Sequence, residues 1–124
     1  MKYLLDSNII IRLVLGIGES LRARAGACEE GDIVTSAIAY GEVAYGSMKG
    51  KPPNFENLQA FVEEVPVLSF DFKAAQAYAA LPFKRASYDR LIAAHALSEG
   101  CVLVTENVAD FADVPSLQVE NWTK

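Results

Sequence analysis

The stretch CVLVT, at residues 101–105, decides the fold class of this chain. Its continuous apolar character is typical of a strand buried on both faces, and such strands occur in parallel sheets covered by helices. Residues 2–5, near the other end of the sequence, form a second apolar run that stops at Asp6. The two runs are therefore predicted to be strands of one α/β sheet.

Strands and helices are predicted to alternate along the rest of the chain. The further strands are predicted at residues 32–35, 65–69 and 117–120. The helices are predicted at residues 9–15, 36–48, 54–64, 72–81 and 87–99. Ser36, Asp71 and Ser87 are the predicted N-caps of three of them. This order predicts an α/β fold with a mainly parallel sheet of four to five strands flanked by helices.

Length and composition predict one domain. The 124 residues are 52% hydrophobic and 22% charged, as in a single folded domain, so residues 1–124 are predicted to form one unit. The longest apolar stretch, residues 9–18, is interrupted by Arg12 and is much shorter than the ~20 residues of a membrane helix. Because no signal-peptide pattern follows Met1, we expect a cytoplasmic protein without membrane attachment.

The cysteines, the histidine and the net charge exclude two classes of site. Cys28 and Cys101 lie far apart without a CxxC pair, and His95 is the single histidine, so neither a Cys/His zinc site nor a disulfide is expected. The formal net charge of −5 argues against a general basic surface for nucleic acid. It leaves open an acidic site in which divalent cations present positive charge to a phosphate.

Carboxylates mark the points where the predicted chemistry lies. Asp6 ends the first strand, Asp89 lies in the first turn of a helix, and Asn107 and Asp110 follow the strand at residues 101–105. Glu42 lies in a helix of small residues, where a carboxylate is hard to bury. Taken singly, Asp6 and Asp89 are also explained as helix caps, and Glu42 as a side chain that faces solvent.

Taken together, the motifs resemble a known family. They are LLDSNI at residues 4–9, AYGEVAYG at 39–46, DRLIAAHA at 89–96, LVTEN at 103–107 and DFADVPSLQVENW at 110–122. This order resembles the PIN-domain ribonucleases, in particular the toxins of VapC type, over essentially the whole chain. The sequence departs from the family pattern at Ser7, where threonine is usual, in a short stretch at residues 81–85, and at Asn107, where many members have aspartate.

The resemblance implies a three-layer PIN domain with one metal-binding pocket. Asp6, Glu42 and Asp89 would meet at the carboxyl edge of the sheet, with Asn107 or Asp110 as the fourth ligand. An all-oxygen set suits Mg²⁺ or Mn²⁺, and converging carboxylates raise each other's proton affinity unless a cation neutralises them. The implied activity is that of a Mg²⁺-dependent endoribonuclease in which metal-activated water attacks the phosphodiester.

Other residues are expected to support this pocket or the core. Ser7 and Asn8 are candidates to orient Asp6, and Thr105 to orient the fourth ligand. His95, 600° around the helix from Asp89, is expected to be structural or interfacial. The candidates for phosphate contacts, which solvated charges explain equally well, are Arg12, Lys84, Arg85 and Arg90. The aromatic residues expected in the core are Tyr3, Phe61, Phe70, Phe72, Tyr78 and Phe111.

The resemblance also implies partners. It implies the toxin half of a type II toxin–antitoxin pair, with a VapB-like antitoxin, an RNA substrate, a homodimer within the complex, and operator DNA bound only through the antitoxin. Tyr40 and Tyr45, on the helix of Glu42, are candidates for a partner surface.

Two other classes share an acidic pocket at a sheet edge. A non-catalytic phospho-receiver-like module that binds Mg²⁺ would need a lysine after one of the last strands, and the only late lysine is Lys124. A phosphohydrolase with Asp6 as covalent nucleophile would usually have a second aspartate two residues later, where this chain has Asn8.

Overall fold

Five short strands form one sheet in the computed structural model, which describes residues 2–82 and 87–124. Their bounds are β1 Tyr3–Leu5, β2 Ile33–Ser36, β3 Val67–Leu68, β4 Val102–Val104 and β5 Val119–Glu120. The sheet order is β3-β2-β1-β4-β5, and every neighbouring pair is parallel. The prediction of a parallel α/β sheet is confirmed.

Six α-helices and one short 3₁₀ helix flank this sheet in the described residues. Their bounds are α1 Ser7–Leu15, α2 Glu19–Gly26, α3 Ala37–Met48, α4 Phe55–Glu64, α5 Phe72–Ala79 and α6 Tyr88–Glu99, with the 3₁₀ helix at Val108–Phe111. The side chains of Ser36, Asp71 and Ser87 accept backbone N–H groups at the starts of α3, α5 and α6, so these predicted caps are confirmed. Within the described ranges, none of the helices has the length and hydropathy of a membrane-crossing segment.

The central position of β1 fixes which strand ends meet. Leu4 and Leu5 are fully buried, and Leu5 pairs with Thr35 of β2 on one side and with Val104 of β4 on the other. The Asp6 N–H continues this pairing by donating to the Val104 carbonyl at 2.9 Å. Because parallel strands end at the same edge, the residues that follow β1, β2 and β4 lie side by side.

Two details of the core differ from the prediction. Four of the five strands are shorter than predicted, and residues 65–69, for example, contribute only Val67–Leu68 to the sheet. Phe72 was expected in the core and is 77% exposed, because it begins α5 directly after the Asp71 cap while Ala74 of the same helix faces inward. Phe111 is buried as predicted.

The cysteines behave as predicted. Cys28 and Cys101 are both free thiols, Cys28 partly exposed and Cys101 buried. Burial raises the pKa of both thiols, so they stay protonated and unreactive near neutral pH. Neither takes part in the chemistry described below.

Candidate active site

Asp6 is a buried carboxylate held at both oxygens. It is 3% exposed and lies between the end of β1 and the start of α1. The Ser7 N–H donates to Oδ1 at 2.8 Å, and the Thr105 hydroxyl donates to Oδ2 at 2.8 Å. Burial raises the pKa of Asp6, and the negative charges of Asp110 and Glu106 raise it further, against the lowering effect of the two donors.

Glu42 approaches Asp6 from α3. Burial raises the pKa of Glu42, and the charges of Asp6 and Asp89 add to the effect, while the nearby Ser7 hydroxyl lowers it. Its Oε1 atom is buried and has no hydrogen-bond partner among the described residues. A buried carboxylate oxygen without a donor is costly, so this atom marks a position where a cation or a water would stabilise the site.

Asp89 completes the group from the first turn of α6. Burial raises the pKa of Asp89, the charges of Asp6 and Asp110 raise it further, and the neighbouring Arg90 lowers it. Asp6, Glu42 and Asp89 therefore come together as predicted, although they lie on three different elements. We call these three residues the acidic pocket.

The two candidates for the fourth ligand, Asp110 and Asn107, contribute differently: Asp110 acts through its charge and Asn107 through its backbone. Asp110, in the 3₁₀ helix, is close enough to raise the pKa of both Asp6 and Asp89. The Asn107 side chain is exposed, and the backbone N–H of Asn107 donates to Thr105 Oγ1 at 3.0 Å. Thr105 was expected to orient the fourth ligand. Its hydroxyl donates to Asp6 instead, because the pairing of β1 with β4 places these two residues side by side.

Sequence reasoning did not select Glu106 for the site. Its charge helps to raise the pKa of Asp6, and its carboxylate pairs with Arg12 at 2.9 Å, which ties the loop after β4 to α1. Its place directly after Thr105, beside the end of β1, was the signal in the sequence.

The basic residues predicted to contact phosphate are engaged elsewhere where the structure describes them. Arg12 pairs with Glu106, and the Arg90 guanidinium donates to both carboxylate oxygens of Asp113 at 3.0 and 3.2 Å. Lys84 and Arg85 lie outside the described residues. Arg12 and Arg90 are therefore better explained as paired charges than as parts of a preformed phosphate site.

The donor set of the acidic pocket fits a hard divalent cation. Carboxylate oxygens are the ligands that Mg²⁺ and Mn²⁺ prefer, and burial together with neighbouring carboxylates raises the pKa of all three pocket residues. In residues 2–82 and 87–124, no three His, Cys, Asp or Glu side chains already surround a single ion position. Mg²⁺ usually retains several of its waters, so it does not need three protein ligands around one position.

The sequence matches the PIN domain family over residues 3–117. The chain belongs to this family. The match covers the first four motifs that carried the resemblance and residues 110–117 of the fifth, and it favours the PIN domain over the phospho-receiver and phosphohydrolase alternatives.

Relatives of this PIN domain are similar over nearly their whole length. The tRNA(fMet)-specific endonuclease VapC of Salmonella typhimurium is 32% identical over an alignment of 131 positions, which covers 98% of each chain. The enzyme of the same name from Shigella flexneri is 30% identical over 99% of each chain. Ribonuclease VapC1 of Haemophilus influenzae strain R2866 is 32% identical over the full length of both chains.

Solved structures share the fold. VapBC2 from Rickettsia felis, solved with a DNA fragment from the promoter, contains a chain that superposes with a TM-score of 0.87 at 29% identity, covering 98% of this PIN domain and 99% of that chain. VapBC-1 from nontypeable Haemophilus influenzae gives a TM-score of 0.82 at 31% identity over both whole chains. The predicted PIN fold is confirmed.

Proposed function

We propose that this PIN domain is a divalent-cation-dependent endoribonuclease and the toxin of a VapBC-type pair. The observation that carries the proposal is the acidic pocket, which brings together three carboxylates from separate elements. Burial raises the pKa of all three, the Asp6 charge raises the pKa of both Glu42 and Asp89 further, and Glu42 Oε1 has no partner among the described residues. The relatives, which are VapC ribonucleases and endonucleases aligned over nearly full length, support RNA as the substrate.

Asp6, Asp89, Glu42 and Asp110 would hold Mg²⁺ or, in its place, Mn²⁺. When bound, such an ion activates water and stabilises the charge that develops on the phosphate and on the leaving oxygen. Asp6 and Asp89 have short side chains fixed at the starts of helices, which suits direct ligation. Glu42 reaches the pocket from within α3 and suits contact through water.

The chain's own groups prepare the pocket for hydrolysis. The Ser7 N–H and the Thr105 hydroxyl keep Asp6 in one orientation, and they favour its charged form despite its burial. Glu42 Oε1 has an unused acceptor site and a raised pKa, so it can accept a proton from the attacking water at that atom. The proposal needs no protein nucleophile, in agreement with the protonated thiols and the buried His95.

The proposed partners follow from the same relatives. Several similar structures are VapBC complexes, and two of them are described as bound to DNA. We therefore propose a small VapB-like antitoxin as the direct partner, a homodimer of this chain within the complex, and operator DNA bound through the antitoxin. Co-expression with a candidate antitoxin, followed by size-exclusion chromatography and promoter-DNA binding with and without it, tests this part.

Activity of the purified, antitoxin-free protein tests the catalytic part. We expect cleavage of single-stranded or loop RNA with Mg²⁺ or Mn²⁺, and none in EDTA. Glu42→Gln is expected to abolish cleavage, whereas the matched control Glu63→Gln, on the exposed part of α4, is expected to cleave like the wild type. RNA cleavage that continues unchanged in EDTA would rule out the proposed mechanism.

A further inference from the structure

His95 is a buried titratable residue that the proposed reaction does not use. It is one of five polar side chains that are fully or almost fully buried among the described residues, and it is 0% exposed. Its Nδ1 is hydrogen-bonded to Ser36 Oγ at 2.7 Å, and the edge of its ring contacts Phe70 with 5.5 Å between centroids. Its Nε2 is buried without a partner in the described structure. An apolar residue would fill this space without that cost, so the ring's polar contact calls for an explanation.

The contact joins the two helices that carry Glu42 and Asp89. Ser36 is the N-cap of α3, six residues before Glu42, and His95 lies in α6, six residues after Asp89. At 1.5 Å per residue, each contact residue lies about 9 Å along its helix from the carboxylate. The two helices pack against each other, and the carboxylates face each other closely enough to raise the pKa of Glu42.

The other buried residues of these helices are apolar and mostly small. They are Ala39 and Val43 in α3 and Ile92, Ala93, Ala94 and Ala96 in α6. Small side chains allow a close approach but form shallow ridges, so they fix the axial position of one helix on another less firmly than large ones do. A directional hydrogen bond between fixed atoms supplies that missing constraint.

We propose that the His95–Ser36 hydrogen bond sets the axial register of α6 on α3 and thereby the separation of Asp89 and Glu42. His95 is then a positioning residue for the acidic pocket, although it touches neither carboxylate. The inference rests on the proposed function only in that the pocket is taken to bind a divalent cation. Ser36 Oγ also accepts the Ile38 N–H at 3.0 Å, so the same hydroxyl fixes the start of α3 and its contact with α6.

Two substitutions of His95 separate register from packing. His95→Phe keeps a ring of similar shape against Phe70 and removes the hydrogen bond to Ser36. His95→Asn keeps a polar group near the position of Nδ1, able to bond Ser36 Oγ, and removes most of the ring. We expect the phenylalanine variant to bind Mn²⁺ roughly tenfold more weakly with RNA absent, as when a residue that orients a metal ligand is lost. We expect the asparagine variant to melt at a lower temperature and to keep near wild-type Mn²⁺ affinity.

Isothermal titration with Mn²⁺ below the melting temperature, together with thermal melts, gives both readouts. Wild-type Mn²⁺ affinity in His95→Phe overturns the proposal, and so does an affinity that falls in step with melting temperature in both variants. If a His95 variant does not fold, Ser36→Ala and Ser36→Thr repeat the test, with weaker binding expected only where the hydroxyl is lost.

A metal-free readout separates this inference from the proposed function. In crystals grown in EDTA, His95→Phe is expected to show an altered axial offset of α6 on α3, with a changed distance between Glu42 and Asp89. An unchanged offset overturns the proposal. A wild type that binds no Mn²⁺ contradicts the proposed function, while the crystals still decide the question of register.

Discussion

Two buried hydrogen bonds of almost equal length lie at the carboxyl edge of the sheet, and one is charged while the other is neutral. Thr105 donates to the Asp6 carboxylate at 2.8 Å, and Ser36 bonds the His95 ring at 2.7 Å. Burial raises the pKa of Asp6 and lowers the pKa of His95, so in both cases it disfavours the charged form. Asp6 has the carboxylates of Asp110 and Glu106 nearby, whereas the ring of His95 packs against Phe70.

This difference indicates that the first contact acts through charge and the second through geometry. The charged contact lies in a group of like charges whose repulsion a cation would reduce, so we expect it to respond to metal and to pH. The neutral contact gains nothing from a cation and affects the pocket only through geometry. Changes at the two places should therefore differ in kind, and the following experiments test that difference.

The largest effect is expected from removing a carboxylate of the acidic pocket. Asp6→Ala and Asp89→Ala should each lower RNA cleavage by roughly 10³-fold or more, and the double variant should be little worse than either, because the residues act as one unit. Rates measured beside Glu64→Ala, an exposed control on α4, check this expectation. Additive losses in the double variant would mean that the two carboxylates work independently.

Two buried threonines, one in β2 and one directly after β4, lie on either side of β1 and offer a matched pair for stability. Thr105 donates to the Asp6 carboxylate, and Thr35 donates to the Leu5 carbonyl at 2.8 Å. Because bonds to charged groups contribute more, Thr105→Val is expected to lower the free energy of unfolding by about 1.5–3 kcal/mol and Thr35→Val by about 1 kcal/mol. Urea denaturation measures both. Equal losses, or a loss of Mn²⁺ affinity in the Thr35 variant, would contradict the distinction between charged and neutral contacts.

A smaller effect is expected at the fourth position of the pocket. Asp110 acts on Asp6 and Asp89 through its charge, whereas Asn107 contributes a backbone N–H that any residue but proline supplies. Asp110→Asn should therefore weaken Mn²⁺ binding, roughly tenfold, and Asn107→Ala should change it little. Calorimetric titrations of both variants decide the point, and the reverse order would identify Asn107 as the ligand.

The smallest effect concerns the pH dependence of stability without metal. The pKa values of Asp6, Glu42 and Asp89 are raised in the folded protein, so the folded state binds protons more readily than the unfolded chain between the ordinary and the raised values. The free energy of unfolding attributable to these groups therefore falls as pH rises through that window and stays low at neutral pH.

In thermal melts with EDTA, the melting temperature of Glu42→Gln should rise relative to that of the wild type as pH rises toward 7, and Glu63→Gln should show no such trend. Mn²⁺ should stabilise the wild type most at neutral pH. A constant difference between the wild type and Glu42→Gln at all pH values would contradict this view.

The sequence predicts the strands, the caps and the three carboxylates because each leaves a local pattern. Leu4 and Leu5 form an apolar run that ends at an aspartate, and Ser36 and Ser87 precede helical segments. Helix α2 was not predicted because only Leu21 of its residues is buried, so the segment has no apolar periodicity.

Contacts between distant segments left no such pattern. The bond from Thr105 to Asp6 joins residues 99 positions apart, and it became visible only when β4 was placed beside β1. In the sequence, Trp122 is only the last residue of the motif at residues 110–122. It is 1% exposed, packs edge-on against Tyr3 at 4.9 Å and donates from its indole nitrogen to Glu120. Packing of this kind depends on the order of strands in space, which a local pattern does not encode.

The central place of β1 has a consequence for synthesis of the chain. Strand β1, the middle of the sheet, is synthesised before β2, β3, β4 and β5, and its partner β4 is the fourth of these five strands along the chain. Closing so long a loop must precede the pairing that rewards it, which makes such contacts slow to form. Asp6 cannot receive the Thr105 hydroxyl until β4 has been synthesised and placed beside β1. A chain that stops before β4 is therefore expected to lack an assembled acidic pocket.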